Sequence, residues 1–213
     1  MIFRDREDAA AQLAAKLKAM RLKDPIIMAI PRGGVITGEV IARALGARLD
    51  VIVSRKVGAP GNPELAIGAV APDGAFFPNR EALIALGIPE EFARRAAAIV
   101  SEEVERRLER FRGSKKYDLK GRTIVIVDDG IATGATMFAA VEWAGRQSPK
   151  RLIVAVPVGP KETLERLSGL AEVVALQSPT LFMAVGEFYT LFDQVADERV
   201  VEIMRSHGYA LKP

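Results

Sequence analysis

The hydrophobic positions of the chain alternate between short apolar runs and stretches with helical periodicity. Short, near-continuous apolar runs predict buried strands over 25–30, 49–54, 123–129, 151–159 and 172–176. Apolar residues spaced three or four apart predict helices over 5–22, 35–46, 89–112, 135–147 and 161–169. Because buried strands that alternate with helices are typical of parallel sheets covered on both faces, the pattern predicts an α/β fold, a three-layer open parallel sheet flanked by helices.

Two segments depart from this alternation. Residues 57–80 are rich in Gly and Pro, which predicts a long loop with a strand pair around LAIGAVA and GAFF. Residues 177–213 break the strand–helix order and are expected to form a cap on the sheet, here called the hood. We therefore expect a single domain over 1–213 with its core in about 24–176. Residues 57–120 then form a flexible loop and a helical insertion.

The predicted helix at 89–112 has a charged side and an apolar side. Its apolar residues share helical spacing and are expected to line one buried face: Phe92, Ala96, Ile99, Val104 and Leu108. The stretch SEEVERRLER carries mixed charges at i,i+4 spacing, which is typical of a solvated helix face.

Composition removes several classes of chemistry. The 213 residues include no cysteine and one histidine, His207, so disulfides, Cys-ligated zinc, thiol catalysis and a Ser-His-Asp triad are not expected. The net charge of +3 is spread along the chain and does not favour a nucleic-acid partner. No run approaches the roughly 18 apolar residues of a membrane span, and the charged N-terminus is unlike a signal peptide. We expect a cytoplasmic protein without membrane contact.

The stretch VIVDDGIATGATM at 125–137 carries the clearest chemistry. An apolar strand ends in Asp128 and Asp129, and a loop of small residues leads into a helix that begins near Ala135. Free amides at such a helix start bind phosphate without a lysine. The loop matches neither the Walker A pattern nor the dinucleotide fingerprint. The two carboxylates need a partner that donates hydrogen bonds or carries positive charge, such as a ribose diol or hydrated Mg²⁺.

This stretch resembles the phosphoribosyl pyrophosphate (PRPP) motif of the type I phosphoribosyltransferases, from Val125 to Thr136. The resemblance implies that Asp128 and Asp129 hold the ribose hydroxyls and act in catalysis, and that they contact Mg²⁺, the expected cofactor, only indirectly. It implies a 5-phosphate site made of Ala132, Thr133, Gly134, Ala135 and Thr136. Gly130 departs from the family, which has a bulkier apolar residue there. The alternative is an Asp pair that serves capping and solubility beside a small-residue turn.

Two further loops follow strands of the predicted sheet. In IPRGGV (30–35), the resemblance implies pyrophosphate binding by Arg32, Gly33 and Gly34, with unusual backbone angles at the glycines and a cis Arg32–Gly33 peptide. An ordinary strand-to-helix turn is the alternative. In SRKVGAPGNPE (54–64), Arg55 is expected to bind pyrophosphate and Lys56 to balance the charge of the leaving group during catalysis. Solvent-facing charges beside a loop are the alternative.

The implied activity is that of a pentosyltransferase that moves the ribose 5-phosphate group of PRPP to a nitrogen acceptor and releases pyrophosphate. A regulatory protein that binds PRPP or a nucleotide without turnover is the alternative. The sequence leaves the acceptor open between hypoxanthine, guanine, adenine, uracil and a non-base amine. It leaves open whether Phe182, Phe188 or Tyr189 stacks on a base or packs the hood. A homodimer is also left open.

Overall fold

The computed structural model describes residues 2–211. Its helices and strands follow one another in an order close to the predicted one. In chain order they are α1 (Arg6–Ala19), β1 (Pro25–Ala29), α2 (Gly33–Leu45), β2 (Arg48–Val51), β3 (Arg55–Ala59), β4 (Asn62–Val70), β5 (Phe76–Pro78), α3 (Arg80–Ala85), α4 (Glu90–Arg112), β6 (Thr123–Val127), α5 (Ala135–Arg146), β7 (Arg151–Val158), α6 (Lys161–Ser168), β8 (Glu172–Gln177) and α7 (Asp197–Ser206).

Five strands form the central parallel sheet in the order β2-β1-β6-β7-β8. Because successive side chains of a strand point to opposite faces of the sheet, alternate residues of each strand belong to two different hydrophobic cores. Val125 of β6 packs with α1 and α2, whereas its neighbours Ile124 and Ile126 pack with α5 and α6. Helices therefore cover both faces, and the predicted three-layer α/β fold is confirmed.

The segment predicted as a long loop is mostly sheet. β3, β4 and β5 form a three-stranded antiparallel sheet, so the expected strand pair is present and gains a third strand. Glycine is required inside it, because a Cβ on Gly68 would lie 2.4 Å from the ring of Phe76. The composition that suggests a loop instead reflects close packing between these short strands.

Helix α4 is buried as predicted at Val104 and Leu108, but its N-terminal half packs through a different face. Its buried apolar residues are Ala93, Ala97, Val104, Leu108 and Phe111. Ile99, which was expected inside, is 73% exposed, and Phe92 is 39% exposed. The buried residues keep helical spacing and belong to the same core as β3 and β4, and in the N-terminal half of α4 the buried stripe is shifted by one position, to Ala93 and Ala97.

The hood includes the N-terminal segment, which the sequence pattern does not indicate. The Phe3 amide donates to the Phe188 carbonyl at 2.8 Å, and the Thr190 amide donates to the Phe3 carbonyl at 2.8 Å. Phe3 is fully buried against Tyr189, with ring centroids 5.4 Å apart. Hydrogen bonds and ring packing thereby hold residues 185–192 against the segment that precedes α1. Across residues 2–211, helices with the length and apolarity to cross a bilayer are absent.

Candidate functional site

The site lies where β1 and β6 end side by side. Ala29 and Val127 are register partners at the carboxyl ends of these two parallel strands. The loop after each strand therefore leaves the sheet at the same edge, which is where ligands bind in open α/β sheets. The PRGG turn and the Asp128–Asp129 pair are neighbours for this reason.

Helix α2 begins at Gly33, two residues earlier than predicted, and neither Gly33 nor Gly34 has positive φ. The predicted unusual glycine backbone is therefore absent at both positions. A Cβ on Gly33 would lie 1.9 Å from Asp129 Oδ2, and one on Gly34 would lie 2.9 Å from Asp128 Oδ1. Glycine is required because the carboxylates occupy that space. The cis peptide also differs from the prediction, since it joins Pro31 to Arg32.

The two carboxylates have unlike environments. The Asp129 amide donates to Asp128 Oδ1 at 2.8 Å. Burial, followed by the charge of Asp129, raises the pKa of Asp128 well above its usual range. Asp129 instead forms an ion pair, with its Oδ2 2.6 Å from Arg6 Nε. The pair thus combines one carboxyl group that resists ionisation with one that is held by a cation.

Arg6 is the main residue of the site that the sequence does not reveal. Its side chain is 11% exposed and lies across the ring of Phe192, with the guanidinium carbon 3.9 Å from the ring centroid. Its Nη1 also donates to the Asp193 carbonyl at 2.8 Å. Arg6 is 123 positions before Asp129 along the chain, so no local spacing could indicate the contact. It connects the hood to the acidic pair.

The loop after the acidic pair leads directly into α5. Gly134 has φ of 80° at the helix N-cap, a conformation that favours glycine. In the described chain no side chain caps this helix start, while Ala132 and Thr133 are exposed. The amides of the first turn are thus placed to bind an anion.

Gly130 is buried, and the space beside it is filled from the hood. A Cβ at this position would lie 2.4 Å from Cγ1 of Val185. A hood side chain therefore occupies the volume that a larger residue at position 130 would take.

A cleft of about 230 Å³ separates this loop from the start of the small sheet. The residues that border it include Pro31, Arg55, Lys56, Arg107, Asp128 and Thr136. Arg55 Nη1 lies 2.7 Å from Glu103 Oε1, and Arg107 Nε lies 3.3 Å from the same oxygen. Part of the helix face expected to be solvated thus borders the cleft. Burial, followed by the charge of Arg107, lowers the pKa of Arg55.

Arg32 does not border this cleft. Its Nη1 lies 3.5 Å from Asp197 Oδ1 on α7, at the side of the hood. Arg32 and Arg55 are close enough for the charge of Arg32 to contribute to lowering the pKa of Arg55. The structure thus brings Arg55 and Lys56 to the cleft and places Arg32 beside it.

The hood aromatics pack mainly on one another. Tyr189 is 6% exposed, and its hydroxyl donates to the Asp129 carbonyl. Burial raises the pKa of Tyr189. Phe182 and Phe188 are stacked with ring centroids 5.3 Å apart. The hydroxyl of Tyr189 therefore contacts the backbone of the acidic pair, and its ring is part of the hood core.

Protein side chains provide few ligands for a metal. Within residues 2–211, no group of three or more Asp, Glu, His or Cys side chains could hold an ion. Asp128 and Asp129 provide two carboxyl groups, and one of these is paired with Arg6. This donor set fits a cation that takes most of its ligands from a bound phosphate compound and water.

Comparison with known proteins agrees with this geometry. The family described as "Phosphoribosyl transferase domain" matches residues 2–188. The chain is 43% identical over 211 residues to the Mycobacterium tuberculosis protein named "Putative phosphoribosyl transferase Rv0571c", and the match covers 97% of this chain and 47% of that protein. It thus spans about half the length of this curated relative. Over 128 residues it is 32% identical to a ribose-phosphate pyrophosphokinase of Methanopyrus kandleri, which covers 51% of this chain and 44% of that protein.

A solved structure shares almost the whole fold. The crystal structure of TT1426 from Thermus thermophilus has a TM-score of 0.83 and 45% identity, and the match covers 97% of this chain and 99% of that one. Fold and motif together define a phosphoribosyltransferase domain. This chain belongs to the phosphoribosyl transferase family, which confirms the predicted resemblance.

Proposed function

We propose that the protein transfers the ribose 5-phosphate group of PRPP to a nitrogen acceptor in the presence of Mg²⁺ and releases pyrophosphate. The observation that carries this proposal is that the acidic pair lies beside two sets of groups that are suited to anions. One is the start of α5, where no side chain of the described residues caps the helix, and the other is the cleft that Asp128 borders together with Arg55 and Lys56. A 5-phosphate, a ribose diol and a pyrophosphate group are the corresponding parts of PRPP.

The residues are assigned to substrate groups by chemistry. The amides and hydroxyls of Ala132–Thr136 bind the 5-phosphate. Asp128 and Asp129 accept hydrogen bonds from the ribose hydroxyls, and Arg6 fixes the orientation of Asp129. Arg55 and Lys56 face the leaving group, where negative charge develops. Gly33 and Gly34 leave room for the carboxylates. The predicted contribution of Arg32, Gly33 and Gly34 to pyrophosphate binding stays a prediction.

The reaction is a displacement at the anomeric carbon. The bond from that carbon to the pyrophosphate oxygen breaks, a bond to the acceptor nitrogen forms, and the nitrogen loses a proton. The protein holds the diol and the phosphate in place so that the reacting atoms meet. Bound Mg²⁺ would add positive charge at the departing pyrophosphate. In this proposal Asp128 and Asp129 contact the ribose, and the carboxylate of Asp129 would stabilise positive charge that grows on it.

Calorimetry and an acceptor panel test the proposal. PRPP should bind with a heat that requires Mg²⁺, and pyrophosphate should be released with one of hypoxanthine, guanine, adenine, uracil or an amine. Asp129→Asn should lower turnover strongly and leave the fold intact by circular dichroism. Absence of PRPP binding would reject the proposal. Binding without release on any acceptor would favour the regulatory alternative. The cytoplasmic location and the oligomeric state stay predictions.

A further inference from the structure

Helix α4 provides one wall of the cleft beside the acidic pair, although it lies outside the PRPP motif. Arg107 borders the cleft, and its side chain is 26% exposed. The adjacent Arg106 is exposed and is not among the cleft residues. The helix thus presents one arginine to the cleft and the next one to solvent.

At the edge of the cleft, two guanidinium groups share a single carboxylate. Glu103 Oε1 is shared, at 2.7 Å from Arg55 and 3.3 Å from Arg107. One carboxylate therefore serves both Arg55 and Arg107, and the carboxyl group of Asp128 borders the same cleft. A recess in which two guanidinium groups have one carboxylate between them favours an anionic ligand.

A buried hydroxyl gives an independent indication of a ligand. Ser54 borders the same cleft and is 6% exposed. Within the described chain, its Oγ has no hydrogen-bond partner. A buried polar group without a partner is costly, and such groups commonly mark a place that a ligand or water completes.

We propose that Arg107 of α4 is a binding residue for the pyrophosphate group of PRPP and that Glu103 is the counter-ion that the pyrophosphate replaces. This inference rests on the proposed function, since it names residues of the same site. Arg107 contributes charge and hydrogen bonds to the leaving group together with Arg55. Before the substrate binds, Glu103 holds both guanidinium groups in place.

Two single substitutions on adjacent residues test the role of Arg107. Arg107→Gln and Arg106→Gln remove the same charge from the same helix. The affinities for magnesium pyrophosphate and for ribose 5-phosphate are measured separately by calorimetry. Arg107→Gln should weaken pyrophosphate binding about 10-fold or more, which is the loss of one charged hydrogen bond. It should change ribose 5-phosphate binding less than about 2-fold by the same scale. Arg106→Gln should change neither affinity.

Glu103→Gln gives a result of opposite sign. Removal of a carboxylate that repels the bound anion should strengthen pyrophosphate binding by about 3- to 10-fold, whereas a purely structural role would weaken it. If Arg107→Gln folds poorly in a thermal melt, Arg107→Lys keeps the charge without the planar fork. Arg55→Gln, which removes one charge from the same cleft, serves as the reference. The pyrophosphate affinity of Arg107→Lys should then lie between those of the wild type and of Arg55→Gln.

The outcomes separate this inference from the proposed function. Equal pyrophosphate affinities for the Arg106 and Arg107 variants would overturn the role of Arg107, even if the wild type turns PRPP over. Weaker binding by folded Glu103→Gln would overturn the counter-ion role. A wild-type protein that binds pyrophosphate but neither PRPP nor ribose 5-phosphate would keep the anion site and reject the transferase proposal. No pyrophosphate binding by the wild type would overturn the inference.

Discussion

Replacement of Gly33 by alanine should displace a carboxylate without disturbing the backbone. Gly33 is the first residue of α2 and lacks positive φ, so its backbone accepts alanine. The new Cβ would lie 1.9 Å from Asp129 Oδ2 and 2.6 Å from its Cγ. Because non-bonded carbon and oxygen atoms need more than about 3 Å, the carboxylate must withdraw by about 1 Å. That movement disturbs both the ion pair with Arg6 and the oxygen proposed to accept from the ribose.

Gly33→Ala should lower both the PRPP affinity and the stability, and the loss of stability is partly offset. Loss of one charged hydrogen bond costs about 1.5–3 kcal/mol, so the PRPP affinity of Gly33→Ala should fall by about 10- to 100-fold. The weakened Arg6–Asp129 pair lowers stability by about 1–3 kcal/mol, while alanine in a helix returns up to about 1 kcal/mol. For a chain of this length the melting temperature should fall by less than about 8 °C.

Calorimetry with PRPP and Mg²⁺, together with a thermal melt, measures both quantities. Gly145→Ala is the matched control, because Gly145 lies within α5 and its Cβ would meet nothing within 4 Å. This control should keep its PRPP affinity and gain up to about 1 kcal/mol of stability. If Gly33→Ala binds PRPP as tightly as Gly145→Ala does, the assignment of Asp129 as a ribose ligand is wrong.

Three further substitutions test the environment of the acidic pair. Because burial and Asp129 raise the folded-state pKa of Asp128, the folded protein loses stability as the pH rises through that pKa. Asp128→Asn lacks this cost, so its melting temperature should exceed that of the wild type by more at about pH 8 than at about pH 4, and pH-independent differences would contradict the argument. Arg6→Gln should lower stability by about 1–3 kcal/mol and weaken PRPP binding, and unchanged values in both assays would exclude an orienting role. Tyr189→Phe removes the hydrogen bond to the Asp129 carbonyl and should cost about 1 kcal/mol in a urea titration, whereas an unaltered midpoint would show that this bond does not stabilise the fold.

The sequence predicts the features of this protein that depend only on residues close together in the chain. An apolar run identifies β6, and the residues after it show where the chain leaves the sheet. The small residues before α5 indicate a helix start without a side-chain cap, which the structure has at Gly134. These features depend on neighbours within a few positions, so periodicity and composition are sufficient to find them.

The remaining parts depend on contacts between distant residues. Arg6 reaches Asp129 across the hood, and no pattern around position 6 distinguishes it from other helix-surface arginines. Arg107 and Glu103 do form the expected i,i+4 pair, but only the packing of α4 on the small sheet brings Arg55 to the same carboxylate. The glycines of residues 57–80 suggested a long loop, whereas Gly68 lies in a strand and is required by its close approach to Phe76.

The contact between Gly130 and Val185 has a consequence for how this family can vary. The space at the end of β6 has room for only one large side chain, either at position 130 or at position 185. In this protein Val185 of the hood occupies it. Relatives with a large apolar residue at the position of Gly130 should therefore carry a small residue at the position of Val185. Single exchanges at either position would create a clash or a void, so the two sites should change in pairs during evolution.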